Sequence, residues 1–195
     1  MSKKDEYLKI LENTVGFTED KVGSELIYDG RIIHVYRDAI RLPNGSDAVR
    51  EVVRHIGAVC VVPVTDDGKV VLVRQFRYPF GKMIYEIPAG KLDLRDEEHS
   101  RAAMRELEEE TGYICSSLEY IGDLYSTPGF CDEVIHMYCA RGLVKGKPHP
   151  DEDGFIDTVA IPIEDVKDMI LDGDITDSKT QAAVLKVYVK YFSKS

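Results

Sequence analysis

The stretch Gly90 to Tyr113, GKLDLRDEEHSRAAMRELEEETGY, constrains the fold more than any other part of the chain. Its 24 residues hold a glycine loop, a helix and a knot of carboxylates. Arg105, Glu106, Leu107, Glu109, Glu110 and Gly112 stand at the spacing R-E-U-x-E-E-x-G, with U aliphatic. On a helix, Glu106 lies four residues from Glu110 and three from Glu109, so all three lean toward one face. Like charges at that spacing repel and destabilise a bare helix. A divalent cation turns the repulsion into binding, because Mg²⁺ takes a few carboxylates together with waters and substrate phosphates. A lone run of glutamates is more simply a solvated helix face. This run is framed by Arg105, by Gly112 at the helix end and by Gly90 at its approach.

The 195 residues suit one domain, or one domain with a modest extension, and the 44% apolar content is enough for a core. A net charge of −10 leaves no basic footprint for nucleic acid. The four cysteines, Cys60, Cys115, Cys131 and Cys139, form no CxxC pair and no zinc spacing. Cys60 and Cys139 sit in apolar runs and read as reduced core residues. No run of 18 apolar residues occurs, and Met1 to Asn13 is charged rather than signal-like. A soluble cytoplasmic protein with no membrane partner is therefore expected.

Along the chain, short strands alternate with a few helices. Tyr7, Leu8 and Leu11 have helical spacing near the N-terminus. Strands are expected at Ser24–Tyr28, Arg31–Leu42 and Asp47–His55, as an antiparallel meander turned at Asp29-Gly30 and Asn44-Gly45. Gly57–Thr65 and Lys69–Arg77, joined at Asp66-Asp67-Gly68, read as a buried hairpin rich in Val. Later strands are expected at Leu118–Tyr125, Val134–Ala140 and Phe155–Ile161. Helices follow at Ile163–Leu171 and Ser178–Phe192, with Pro162 as a start signal and Gly173 as a stop. The fold class is α/β, with a mixed sheet covered by helices on both sides. A boundary near His55 separates residues 1–55, a helix and β module too small to bury a core alone, from residues 56–195.

The framed helix resembles the signature of the Nudix hydrolases, G-x5-E-x7-R-E-U-x-E-E-x-G-U. One departure stands out: Gly90 and Glu97 are separated by six residues rather than five. Either Asp96 or Glu97 could fill the first acidic position, and counting back from Arg105 favours Glu97. Three further features resemble the ADP-ribose pyrophosphatase branch: the run VRQFRYPFGKMIYEIPAGKLD (Val73 to Asp93), Pro128, and the loop STPGFCDE (Ser126 to Glu133). The fold implied for residues 56–195 is the Nudix α/β/α sandwich.

The resemblance implies hydrolysis of ADP-ribose to AMP and ribose 5-phosphate by an activated water. It also implies two or three divalent ions, Mg²⁺ or Mn²⁺. Glu106, Glu109, Glu110 and the Ala89 carbonyl would be metal ligands. Glu97 and Arg105 would pair to brace loop against helix, and Glu109 would serve the catalytic set as well. Glu133 would be the general base, with Asp132 or a helix glutamate as alternatives. Arg77 would hold the diphosphate or the adjacent ribose, and Glu86 the ribose hydroxyls; on an alternating strand between Tyr85 and Ile87, Glu86 would point away from the core. Pro128 and Gly129 would shape the loop beside substrate. Arg50 and Arg54 would reach a partner's site across a homodimer with exchanged N-terminal strands. Tyr28, Tyr36, Phe76 and Tyr78 are candidates to stack on the base. Two other readings stand beside this one: another sugar nucleotide or dinucleotide, such as GDP-mannose, and a non-catalytic ADP-ribose-binding regulator.

Overall fold

The computed structural model describes residues 2–146 and 156–193. The chain falls into two compact units, Met1–His55 with Thr127–Asp132, and Ile56–Ser126 with Glu133–Ser195. The segment Thr127–Asp132, which the sequence reading leaves with the later residues, thus clusters with the first unit.

In the first unit, α1 (Lys3–Glu12) opens with a reciprocal Ser2–Asp5 capping box and buries none of its residues. Strands β1 (Asp20–Asp29), β2 (His34–Arg41) and β3 (Asp47–Arg54) form an antiparallel sheet in that order. β2 starts three residues later than expected, because Gly30 N–H donates to the Ile33 carbonyl at 3.0 Å and closes a loop there. Asp38 on β2 is buried and accepts from the Ser24 hydroxyl at 2.5 Å and from Arg54 at 2.6 Å. The segment Thr127–Asp132 is clipped to the end of β3. Val53 N–H donates to the Phe130 carbonyl at 2.7 Å, and Asp132 N–H donates to the Val53 carbonyl at 3.2 Å.

The second unit contains β4 (Ala58–Pro63), β5 (Lys69–Arg77), a 3-10 turn (Tyr78–Phe80), β6 (Lys82–Glu86) and β7 (Ala89–Lys91). These are followed by α2 (His99–Thr111), β8 (Tyr113–Tyr125), β9 (Val134–Lys145), β10 (Asp157–Pro162), α3 (Ile163–Leu171) and α4 (Ser178–Tyr191). The strands make two sheets rather than one, in the orders β10-β5-β6 and β7-β4-β9-β8. The expected hairpin between β4 and β5 is therefore not a paired ladder: the two strands lie in different sheets, and their pairing is confined to the Val64–Val70 bridge beside the turn. β4 is buried at every position and takes the centre of the four-stranded sheet, parallel to β9. A continuous apolar run suits that place, where both faces are covered. β8 begins five residues before the expected strand, because Gly112 (φ 68°) ends α2 in the left-handed region and sends the chain straight into Tyr113. Phe155, at the start of an expected strand, lies outside the described residues.

Alternation along β4 divides the core. Cys60 and Val62 join Val70 and Leu72 of β5, Val166 and Ile170 of α3, and Val184 and Val187 of α4. Val59 and Val61 face the other way, onto Ala102, Ala103 and Leu107 of α2. Helices thus cover both faces, giving an α/β/α sandwich. Burial pushes the Cys60 thiol up to about 12, which makes it an inert core residue. Among the described residues, no helix is long and apolar enough to cross a membrane.

Leu107 is fully buried and fixes the rotation of α2 against β4. Leu107→Ala is expected to cost about 2–5 kcal/mol of stability, measured by denaturant unfolding.

Candidate active site

Helix α2 places Ala103, Glu106, Leu107 and Glu110 at i, i+3, i+4 and i+7, the stripe that an amphipathic helix turns inward. Ala103 and Leu107 are fully buried there, and Glu106 is only 8% exposed. Two carboxylates therefore occupy positions where packing alone would select apolar side chains. Their local setting is built by β7. The Ala89 N–H donates to Glu110 Oε2 at 3.1 Å. Gly90 lies so close to Glu106 that a Cβ there would fall 2.0–2.2 Å from the carboxylate atoms. Only glycine lets the strand approach the carboxylate this closely.

Burial pushes the Glu110 carboxyl up to about 7; the Ala89 N–H works against this, while Glu106 and Glu86 add to it. Burial also raises Glu106, against the pull of Arg105. Arg105 is the hub of the acidic set. One terminal nitrogen donates to Glu106 Oε1 at 2.7 Å and Glu109 Oε2 at 3.2 Å. The other lies 3.6 Å from Asp93 and 3.6 Å from Glu97. Its tightest partners are thus its helix neighbours rather than Glu97, which the sequence reading pairs with it. Glu97 instead turns one oxygen to the Asp93 N–H at 2.7 Å, tying off the loop before α2. The Arg105 Nε is buried with no protein partner.

Among the described residues, no three acidic, histidine or cysteine side chains converge at metal-ligating distance. The donors on α2 nonetheless fit a hard divalent cation. Glu106 is buried, Glu110 is half-buried, and the two carboxylates lie four residues apart on one face of the helix. A site that leans on few carboxylates and completes itself with waters and phosphates suits Mg²⁺.

A second charged group lies at the end of β6. Arg77 grips Glu86 with two bonds, 2.5 Å from Nε and 2.8 Å from a terminal nitrogen. Lys179, in the first turn of α4, also donates to Glu86, and reaches Asp177 at 3.0 Å. Glu86 is 1% exposed, so the expectation that it points away from the core is corrected. β6 ends at Glu86, the alternation stops there, and two cations make its burial tolerable. Desolvation acts to raise the Glu86 carboxyl, yet Arg77 and Lys179 hold it below its ordinary value. The sequence reading missed Lys179, Asp177 and Thr180; the only signal for them is the cap-like Asp177 before α4.

Of the remaining expected residues, Glu133, Phe76 and Tyr78 belong to the second unit and the others to the first. Arg50 forks onto Glu19, and with Gly129, Val53 and Phe130 it lines a cavity of about 630 Å³. Arg54 bonds Asp38 and reaches Asp132 at 3.2 Å, with its guanidinium 5.9 Å from the Tyr36 ring centre. The His55 N–H donates to the other Asp132 oxygen at 2.6 Å. Pro128 lies in the same clipped segment, and Glu133 follows it at the entry to β9. Tyr28, Phe76 and Tyr78 are exposed.

The raised Glu110 carboxyl has a consequence for stability. Its folded-state value lies above the ordinary 4.5, so the stabilisation from the protonated form is complete below about pH 4.5. That stabilisation is lost as the pH rises through about 7. In metal-free protein, raising the pH from about 5 to about 8 should cost the wild type up to about 3 kcal/mol more than Glu110→Gln. Thermal melts in a chelator at the two pH values check this.

A model of the NUDIX domain matches residues 54–182, and a model of the nucleoside diphosphate sugar hydrolase N-terminal domain matches residues 19–53. The chain is 44% identical over 170 residues to a methanol dehydrogenase activator of Bacillus methanolicus, covering 86% of this chain and 91% of the relative. It is 41% identical over 174 residues to an ADP-ribose pyrophosphatase of Bacillus subtilis (strain 168), covering 88% and 94%. A crystal structure of an ADP compounds hydrolase superposes with a TM-score of 0.80 at 23% identity, over 89% of this chain and 94% of that one, a likeness of fold. A helix that turns carboxylates inward against a glycine strand, within a domain match spanning most of the chain, has one reading: this chain belongs to the Nudix family and is a diphosphatase of it.

Proposed function

We propose that the chain hydrolyses the diphosphate of ADP-ribose, giving AMP and ribose 5-phosphate. The observation that carries this reading is the pair of carboxylates, buried Glu106 and half-buried Glu110, on the inward stripe of α2. The substrate class is taken from the relative named ADP-ribose pyrophosphatase at 41% identity. Nudix hydrolases generally use divalent metal ions. Here Glu106 and Glu110 would hold them, helped by Glu109 and the Ala89 carbonyl. A bound divalent ion supplies charge neutralisation at the diphosphate and acidifies a water.

The protein's own groups then have limited tasks. Arg105 braces Glu106 and Glu109. Arg77 leaves Glu86 to grip phosphate oxygens, a task that suits a forked guanidinium. Water attacks one phosphorus in line, and the bridging oxygen departs with the other phosphate. Glu133 accepts the proton of that water on a carboxylate oxygen. Glu86 would orient the sugar once Arg77 has left it for phosphate.

We also propose a homodimer through the first unit. β1 is exposed along almost its whole length, and Val22, Leu26, Ile27 and Tyr28 stand on it. A three-stranded sheet of that size needs a partner surface for its apolar face. Arg50 and Arg54 would act across that interface.

Metal-dependent release of AMP from ADP-ribose, tested against GDP-mannose and dinucleotides, is the direct test. Lack of turnover with any of them at micromolar enzyme would leave only a binding role. Glu106→Gln is expected to lower kcat at least about a hundredfold while the fold is retained. Glu133→Gln should lower kcat by about 10² to 10⁴ with little change in KM, and should erase the acidic limb of the pH–rate profile. Should Asp132→Asn alone lose activity, the base is one residue earlier. For the dimer, Leu26→Glu is expected to yield a monomer by light scattering, and a fully active wild-type monomer would refute a shared site.

A further inference from the structure

Glu86 is shared by two cations of unequal freedom. The Arg77 side chain is 41% exposed, whereas that of Lys179 is 12% exposed and that of Glu86 is 2% exposed. Lys179 is fixed from behind. Asp177 binds it at 3.0 Å and also caps α4, accepting from Thr180 N–H at 3.0 Å and from the Thr180 hydroxyl at 2.6 Å. The Thr180 oxygen in turn accepts the Ile87 N–H at 2.9 Å, which ties the helix cap to the residue after Glu86. The buried cation is therefore built into the fold, and the exposed one lies at the surface.

We propose that Lys179 is a positioning residue whose task is to keep Glu86 paired when Arg77 departs for a substrate phosphate. This rests on the reading of Arg77 as a diphosphate-binding residue. A carboxylate buried to this degree cannot be left alone, because removing the partner of a buried charge is strongly unfavourable. With Arg77 as its sole cation, Glu86 would hold the guanidinium back from any ligand. With Lys179 in place, the carboxylate keeps a charged partner that donates to it, so Arg77 is free to exchange one anion for another. Lys179 thus acts on substrate without touching it, and its effect falls on binding rather than on the chemical step.

The test is a double-mutant cycle on Lys179 and Glu86, read with ADP-ribose and Mg²⁺. Lys179→Met is expected to raise KM at least about tenfold with kcat within about threefold, the pattern of lost ground-state binding. In a Glu86→Gln background the same change should alter KM less than about threefold, since no charge remains to trap Arg77. Lys179→Arg, which keeps the charge, should stay near wild type and guards against a simple folding failure. A second readout needs no substrate: the rate at which hydroxyphenylglyoxal modifies Arg77, mapped by peptide mass. That rate should fall at least about fivefold in Lys179→Met and recover in the Glu86→Gln, Lys179→Met double variant. Equal KM effects in both backgrounds, or unchanged Arg77 reactivity in Lys179→Met, would overturn the proposal. Wild-type protein that turns over no ADP-ribose would instead overturn the substrate reading, and the Arg77 reactivity would still decide the role of Lys179.

Discussion

The placing of the buried Glu106 and the half-buried Glu110 on the inward stripe of α2 is the constraint to which the rest of the second unit answers. A helix seated on a sheet by Ala102, Ala103 and Leu107 ordinarily continues with apolar residues on the same stripe. Carboxylates there lose hydration and repel one another, and burial pushes Glu110 up to about 7. Each neighbouring device lowers that cost. Arg105 offsets the charge of Glu106 and Glu109, the Ala89 N–H binds Glu110, and Gly90 makes room for the carboxylate itself. A helix that conflicts with its own packing pattern in this way is the mark of a functional surface.

The sheet arrangement follows from the same demand. β7 has to lie where its backbone faces α2, and it does so by pairing Ala58, Val59 and Cys60 of β4 with Lys91, Gly90 and Ala89. That occupies one edge of β4, while β9 takes the other in parallel. No edge is left for β5, which builds its own sheet with β6 and β10. The split between β4 and β5 thus places β6 and Glu86 in one sheet and the glycine strand in the other. Ile87 and Pro88 carry the chain between them, anchored by Thr180 and by Val61 N–H, which donates to the Pro88 carbonyl at 2.9 Å.

What could be read in the sequence was what is local. The α2 motif lies within 24 residues, and its spacing alone puts Glu106, Glu109 and Glu110 on one side of a helix. The ranges Ile163–Leu171 and Lys69–Arg77 were legible for the same reason, since Pro162 and the turn at Gly68 mark their starts. Long-range arrangement was not legible. Alternation predicted an outward Glu86, but its burial depends on Lys179, 93 residues later in the chain. A Val-rich pair of strands joined by a tight turn reads as a hairpin, and nothing within it reveals that β9 and β7 have claimed both edges of β4. The first five residues of β8, Tyr113 to Ser117, lack a strong apolar pattern, and their strand character comes from pairing with Lys145, Val144, Leu143 and Arg141.

The two adjacent acids at the end of the STPGFCDE segment illustrate how geometry divides labour that sequence leaves open. Asp132 has one oxygen bound by the His55 N–H and the other by Arg54, while its own N–H pairs with Val53. A carboxylate that ties a loop to a strand end through both oxygens cannot move to a water without releasing the loop. A general base has the opposite requirement: it has to reach the water it deprotonates at about 2.6–3.2 Å and adjust as substrate binds. Asp132 is therefore suited to fix where the segment ends, and the proposed base, Glu133, is the residue that follows it in the chain. The first ties the segment to the β3 terminus through both of its oxygens. Exchange of the two, Asp132→Glu with Glu133→Asp, would keep charge and composition while losing both the clip and the reach.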